Sequence, residues 1–267
     1  MPDADLGDVT IHYEERGDGP LAYVFCHGLG GSGEGFEQSD MDWYAGHFRT
    51  ISWDNRGLGR SGAASKYSLP LYAADLNALL DHLDIERAVI FGVSWGGVLT
   101  LRFALDYPER CAAIVVDSTS SEVNAAASEN WYMRGELARR GQAALGGREM
   151  AAAFEGHVTV SAAPAVPSVR PEHVESYVAE ARTVAGLREH PLTPQLGAIA
   201  CPTLAVGGGR DAVAGAGGTV IIGRAIPGAR TEILQEAGHG VYAQDREAYR
   251  SLLIEFLREH DLYSGES

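Results

Sequence analysis

The chain has 267 residues, 45% apolar and 21% charged, enough for one large α/β domain with a full buried core. A formal net charge of −15 argues against nucleic acid or an anionic membrane surface as partner, because both require a basic face. No stretch approaches the roughly 18 apolar residues of a membrane span, and the acidic start MPDADLGD lacks a signal peptide's apolar segment, so a soluble, cytoplasmic protein is expected.

Residues 9–14 alternate as a strand, and the turn Gly17-Asp18-Gly19-Pro20 follows. The apolar run 21–26 then leads into HGLGGSG, which sets Gly28, Gly30 and Gly33 at G-x-G-x-x-G spacing. A second run, 50–53, ends at Asp54. This is the outline of a dinucleotide-binding turn with its ribose-binding acid. Three features oppose that reading. An antiparallel-looking strand precedes the loop, whereas a dinucleotide unit usually opens its domain. Glu34, Glu37, Asp40 and Asp42 follow it and are poor neighbours for phosphates. Asp54 continues into NRGLGRS, which reads as a buttressing loop. No cofactor is expected.

Ser68 and Pro70 open a helix whose buried stripe is Tyr72, Leu76, Leu79, Leu80 and Leu83. The next strand, 88–93, turns directly into an apolar-faced helix through Gly92-x-Ser94-x-Gly96. A turn that sharp crowds the positions two residues either side of its apex, so both must lack side chains, and the serine is raised above the sheet edge at a helix N-terminus. Ser94 is therefore the candidate nucleophile. A serine needs a base and an orienting acid, supplied in this architecture in the order nucleophile, acid, base.

Beyond the strand 112–116 the strand–helix alternation stops, and residues 118–191 read as three Ala-rich helices, too many for one crossover. They are expected to form a lid on a core made of residues 1–117 and 192–267. Trp131, Tyr132, Met133 and Phe154 are its candidate substrate-binding residues. Alternation resumes with the strand 203–206, followed by Asp211 in GGGRD, and the strand 231–234, followed by His239 in AGHG. Of nine histidines only His27 and His239 stand at strand exits, and only His239 follows both serine and acid. Asp117 is a geometrically sensible substitute acid, though it reads better as a cap for the lid's first turn. Near the C-terminus, Tyr249, Leu252, Leu253, Phe256 and Leu257 give another buried helix face. Cys26, Cys111 and Cys201 each lie in or beside an apolar run and read as small buried hydrophobes in a reducing compartment. Neither C-x-x-C nor H-E-x-x-H occurs, so no metal site is expected.

HGLGG at 27–31, DNRGLGRS at 54–61, GVSWGG at 92–97, GGGRD at 207–211 and AGHG at 237–240 occur in this order. Together they resemble the α/β-hydrolase fold, in particular small capped esterases and lactonases such as 3-oxoadipate enol-lactonases. The resemblance implies a mostly parallel central sheet with helices on both faces and a helical cap inserted after the sixth strand. It implies a Ser94–Asp211–His239 triad and an oxyanion hole made by the backbone N–H groups of Leu29 and Trp95. The glycines at 28–33 then admit a substrate oxyanion rather than a pyrophosphate. The implied activity is hydrolysis of a small carboxylic ester or lactone. GVSWGG and DNRGLGRS also resemble proline iminopeptidases, for which Glu122, Glu129 and Glu136 could hold a substrate amine, although HGLGG departs from that family's HGGPG. C–C bond hydrolases, perhydrolases and a non-catalytic small-molecule-binding protein remain open. Haloalkane dehalogenases and epoxide hydrolases require an aspartate where Ser94 stands.

Overall fold

The computed structural model describes residues 2–141 and 169–265. One eight-stranded sheet runs through it in the order β1-β2-β4-β3-β5-β6-β7-β8. The strands are β1 (Asp3–Asp5), β2 (Thr10–Arg16), β3 (Ala22–Cys26), β4 (Arg49–Trp53), β5 (Ala88–Val93), β6 (Cys111–Asp117), β7 (Thr203–Gly208) and β8 (Arg230–Leu234). β2 lies antiparallel to both β1 and β4, and every other pairing is parallel. β1 was not expected. It is three residues long and mostly acidic, too short for a periodic signal, and it is held by pairing Ala4 with Ile11.

β3, β5, β6 and β7 are buried throughout, as a parallel sheet covered on both faces requires. Alternation divides their side chains between two cores. Val24, Cys26, Ile90, Ile114 and Val116 face α3 (Leu69–His82) and α4 (Trp95–Asp106). Tyr23, Phe25, Val89, Phe91, Val115 and Val206 face the aromatic cluster of Phe36, Tyr44 and Phe48 and the C-terminal helix. Ser68 caps α3 as expected, its hydroxyl accepting from Leu71 N–H. All five stripe residues of that helix are buried. Among the described residues no helix is long and apolar enough to cross a membrane.

α1 (Glu34–Ser39) and α2 (Met41–Ala45) follow β3, α7 (Gly215–Ala225) follows β7, and α8 (Val241–Gln244) and α9 (Arg246–Glu259) follow β8. Between β6 and β7 lie α5 (Ala125–Gly141) and α6 (Val174–Gly186). The middle helix expected there, and Phe154 with it, falls outside the described residues. The two ends of this insert meet at a clasp. Leu192 N–H donates to Ser121 O over 2.8 Å, and the Ser121 and Thr193 hydroxyls lie 2.7 Å apart.

Because β3, β5, β6, β7 and β8 are adjacent and parallel, their C-terminal ends form one rim. After β3 the chain passes to β4 on one side, then returns to β5 on the other. Such reversals open a crevice above the sheet edge, where ligands settle in open α/β sheets.

Candidate active site

Ser94 stands at that rim between β5 and α4 with φ 56° and ψ −119°, a positive φ held by a residue other than glycine. Such a conformation costs on the order of 1–3 kcal/mol and persists only where its surroundings enforce it. Here a Cβ on Gly92 would run into Gly96 O, and one on Gly96 into Cys26 O. Ser94 N–H donates to Asp117 O, and Thr119 Oγ1 donates to Ser94 O. Ser94 is the N-cap residue of α4, yet its side chain makes no capping bond. Its Oγ therefore projects from the turn without a structural duty.

The loop after β3 comes close to it. A Cβ on Gly28 would lie 3.7 Å from Ser94 Cβ. His27 is buried, and burial pushes its imidazole below the ordinary value, so the ring is neutral. Its Nε2 accepts from Asn55 N–H at 3.1 Å, which leaves Nδ1–H to donate to Gly28 O at 2.9 Å. Gly28 O and Leu29 N belong to one peptide plane, so this bond fixes the direction of Leu29 N–H. Trp95 is the first residue of α4, and its N–H is one of the first-turn donors that a helix leaves unpaired. The Trp95 ring packs edge-on against Tyr72, with centroids 4.9 Å apart. Asp54 is fully buried and accepts from Gly33 N–H and from the Arg60 N–H and Nε–H groups. It braces the loop and, fully buried, is out of reach of a ribose.

Asp211 follows β7. Its Oδ1 accepts from Val213 N–H at 2.7 Å and Ala214 N–H at 3.0 Å, while Oδ2 lies 2.9 Å from His239 Nδ1. Burial works to raise its carboxyl, but the bonds from His239 and the two N–H groups prevail and hold it below the usual range. An ionised carboxylate can only accept, so the proton sits on Nδ1 and Nε2 keeps a lone pair. The loop carrying His239 is braced from both sides. Gln244 accepts from Gly238 N–H and donates to His239 O, and Gly240 N–H donates to Ser118 Oγ.

Asp117 holds the other end of that loop. Its carboxylate accepts from Val241 and Tyr242 N–H and from Ser118 Oγ, so it caps α8 rather than the first turn of the insert. The cap it serves was misplaced at the level of sequence because its partners lie more than 120 residues away. Burial raises its carboxyl to about 6 against these bonds.

Ser94 lines two adjoining cavities. One, of about 350 Å³, is bounded by Leu29, Trp95, Val98, Trp131, Val184 and Ile221. The other, of about 550 Å³, also reaches Leu29 and contains His239, His27, Tyr177 and Arg134. Ser94 and His239 thus share a cavity, though no hydrogen bond joins them among the described residues. Of the insert's expected residues, Trp131 lines both cavities. Tyr132 is 51% exposed beside Arg182, and neither it nor Met133 borders these cavities. Three consecutive helical residues cannot share a face. The lining follows helical spacing instead, through Ala127, Trp131 and Arg134. Glu122 borders the smaller cavity, Glu129 is exposed, and Glu136 is ion-paired to Arg182, so these three do not present a pair of free carboxylates to the site.

Sequence reasoning missed Arg134 and Glu180. The Arg134 guanidinium stacks on Trp131 at 4.8 Å, and its Nε is buried without a partner among the described residues. Its signal was the three-residue spacing from Trp131. Glu180 is a carboxylate in the buried stripe Tyr177, Ala181, Val184 of α6.

Residues 23–245 match the family described as the alpha/beta hydrolase fold. The 3-oxoadipate enol-lactonase 2 of Acinetobacter baylyi is 28% identical over 211 residues, covering 77% of this chain and 78% of that protein. The bifunctional epoxide hydrolase 2 of Sus scrofa is 37% identical over 117 residues, or 40% of this chain, and the match spans only 20% of that longer protein. The crystal structure of the enol-lactonase from Burkholderia xenovorans LB400 superposes with a TM-score of 0.79 at 24% identity, over 96% of this chain and all of that one.

Proposed function

The chain belongs to the alpha/beta hydrolase fold family, and on that premise we propose that it is a serine hydrolase of small carboxylic esters or lactones, working through an acyl-enzyme. The observation that carries this reading is Ser94 Oγ, free of capping at a strained apex, sharing a cavity with a histidine whose Nδ1 is committed to Asp211. His239 Nε2 takes the Ser94 proton as Oγ attacks the carbonyl carbon. Asp211 keeps the tautomer and stabilises the imidazolium. Leu29 and Trp95 N–H receive the oxyanion. As the intermediate collapses, the alkoxide leaves with the proton from His239. Water, deprotonated by the same nitrogen, then releases the acid and restores Ser94. Catalytic hydrogen bonds often tighten only when substrate is bound, which accommodates the open Ser94–His239 contact.

The insert is read as a cap, with core residues 1–117 and 192–267 beneath it. Cavities of this size suit a small molecule, and Arg134 is the only lysine or arginine bordering them among the described residues. A substrate carrying a carboxylate remote from its scissile bond fits that arrangement. The test is turnover of p-nitrophenyl esters and lactones by wild type and Ser94→Ala. A loss of about 10⁶-fold in kcat is expected, with fluorophosphonate labelling of Ser94 in wild type. Retention of more than about a tenth of wild-type turnover by Ser94→Ala overturns the assignment.

A further inference from the structure

The mechanism leaves one buried ionisable group unused. Glu180 projects from α6 and is fully inaccessible to solvent. Its Oε2 accepts from Gly30 N–H at 2.7 Å, and its Oε1 accepts from Asn55 Nδ2 at 3.0 Å. Asn55 in turn donates its N–H to His27, which donates to Gly28 O. The two peptide planes flanking Leu29 Cα are therefore both pinned. The preceding one, which carries Leu29 N–H, is held by His27 from the core. The following one, Leu29–Gly30, is held by Glu180 from the insert. Gly30 has φ +67°, and a Cβ there would strike the Tyr177 ring, so α6 also presses on this loop one turn before Glu180.

A leucine at 180 would fill similar space without desolvating a carboxyl, but it would take from Gly30 N–H the acceptor that holds it. A group of this kind has its effect through the loop it holds. We propose that Glu180 is a positioning residue for the oxyanion hole, fixing the peptide after Leu29 so that the aim of Leu29 N–H depends on how α6 is seated. This rests on the esterase or lactonase reading above. Burial pushes the Glu180 carboxyl up to about 8 against its bonds from Gly30 and Asn55. Glutamine keeps one acceptor for Gly30 N–H, and its NH2 can donate to Asn55 Oδ1, buried without a partner among the described residues, once that amide turns over.

The test compares wild type with Glu180→Ala, Glu180→Leu and Glu180→Gln on whichever p-nitrophenyl ester wild type turns over best. Losing one oxyanion donor outright costs about 10²–10³ in kcat, so a misaimed donor is expected to cost about tenfold or more in the alanine and leucine variants, with KM within about threefold. The rate of Ser94 phosphonylation by a fluorophosphonate should fall in parallel, and Glu180→Gln should recover most of both losses. A kcat within about threefold of wild type in the alanine or leucine variant overturns the proposal, as does a glutamine variant as slow as alanine. If neither truncated variant folds, Glu180→Asp keeps the acid but falls one methylene short. Its kcat should drop in the same way, and an unchanged value overturns the proposal equally. A wild type that neither turns over esters nor labels at Ser94 strikes the functional reading. An active wild type with indifferent variants strikes Glu180 alone.

Discussion

The insert's two described helices pack against each other but meet the rest of the molecule in opposite ways. α6 is sunk into the core through polar groups as well as apolar ones. Ser176 Oγ donates to Arg56 O at 2.8 Å, Tyr177 covers Gly30, and Glu180 reaches the loop beside Ser94. α5 rides on α6 through Ser128 Oγ to Ala185 O and through the ion pairs Arg182–Glu136 and Arg139–Glu175 at the surface. Exposed pairs of that kind contribute about 0–1 kcal/mol each. The difference assigns them separate work. α6 is part of the frame that shapes the site, whereas α5 supplies lining that can vary without disturbing the frame.

Substitutions on the two helices should therefore differ in kind. The largest effect is expected from Tyr177→Ala, which removes a ring 1% exposed. Chemical denaturation should show a loss of about 3–5 kcal/mol, and kcat should fall with it because Gly30 is released. A variant as stable as wild type would break the distinction.

Next comes the pH dependence of stability. The folded Glu180 carboxyl, about 8, lies above its ordinary value of 4.5. The associated stability is thus fully present below the unfolded value and lost as pH rises through about 8. This amounts to a few kcal/mol, on the order of what such a displacement implies. Melting temperatures of wild type should decline between pH 6 and 9, and Glu180→Gln should flatten that decline.

On α5, Arg134→Gln should raise KM for a carboxylate-bearing ester by roughly tenfold relative to an uncharged one, as expected for loss of a charge-assisted bond, and leave the melting temperature alone. An equal change for both esters would remove the anion from the reading. The smallest effect belongs to Tyr132→Ala at the exposed face, within about 0.5 kcal/mol of wild type in stability.

Sequence and structure agree best where a signal is local. The four central parallel strands, β3, β5, β6 and β7, are short, mostly apolar runs, and Gly92-x-Ser94-x-Gly96 is a steric requirement written over five residues. Asp211 and His239 were legible because both stand just past strand ends. What was not legible depends on contacts distant along the chain. Asp117 meets Val241 and Tyr242, and Glu180 meets Gly30 and Asn55, with nothing in the intervening sequence to pair them. Glu180 did leave a trace, as a charged residue interrupting an apolar stripe. The lining of α5 was misjudged for a simpler reason, since adjacent residues were grouped where helical spacing separates them.

The clasp at Ser121, Leu192 and Thr193 has a consequence for how such a molecule can diversify. Seventy residues of chain leave and re-enter the sheet through a neck two hydrogen bonds wide, between strands that are already neighbours. Exchanging everything beyond that neck leaves the strand ladder and the aromatic core intact and takes only Val184 and Leu187 from the buried residues of the other core. New substrate preferences can therefore be tried on one scaffold by transplantation, provided that whatever replaces α6 still finds a grip on the loop at Gly30.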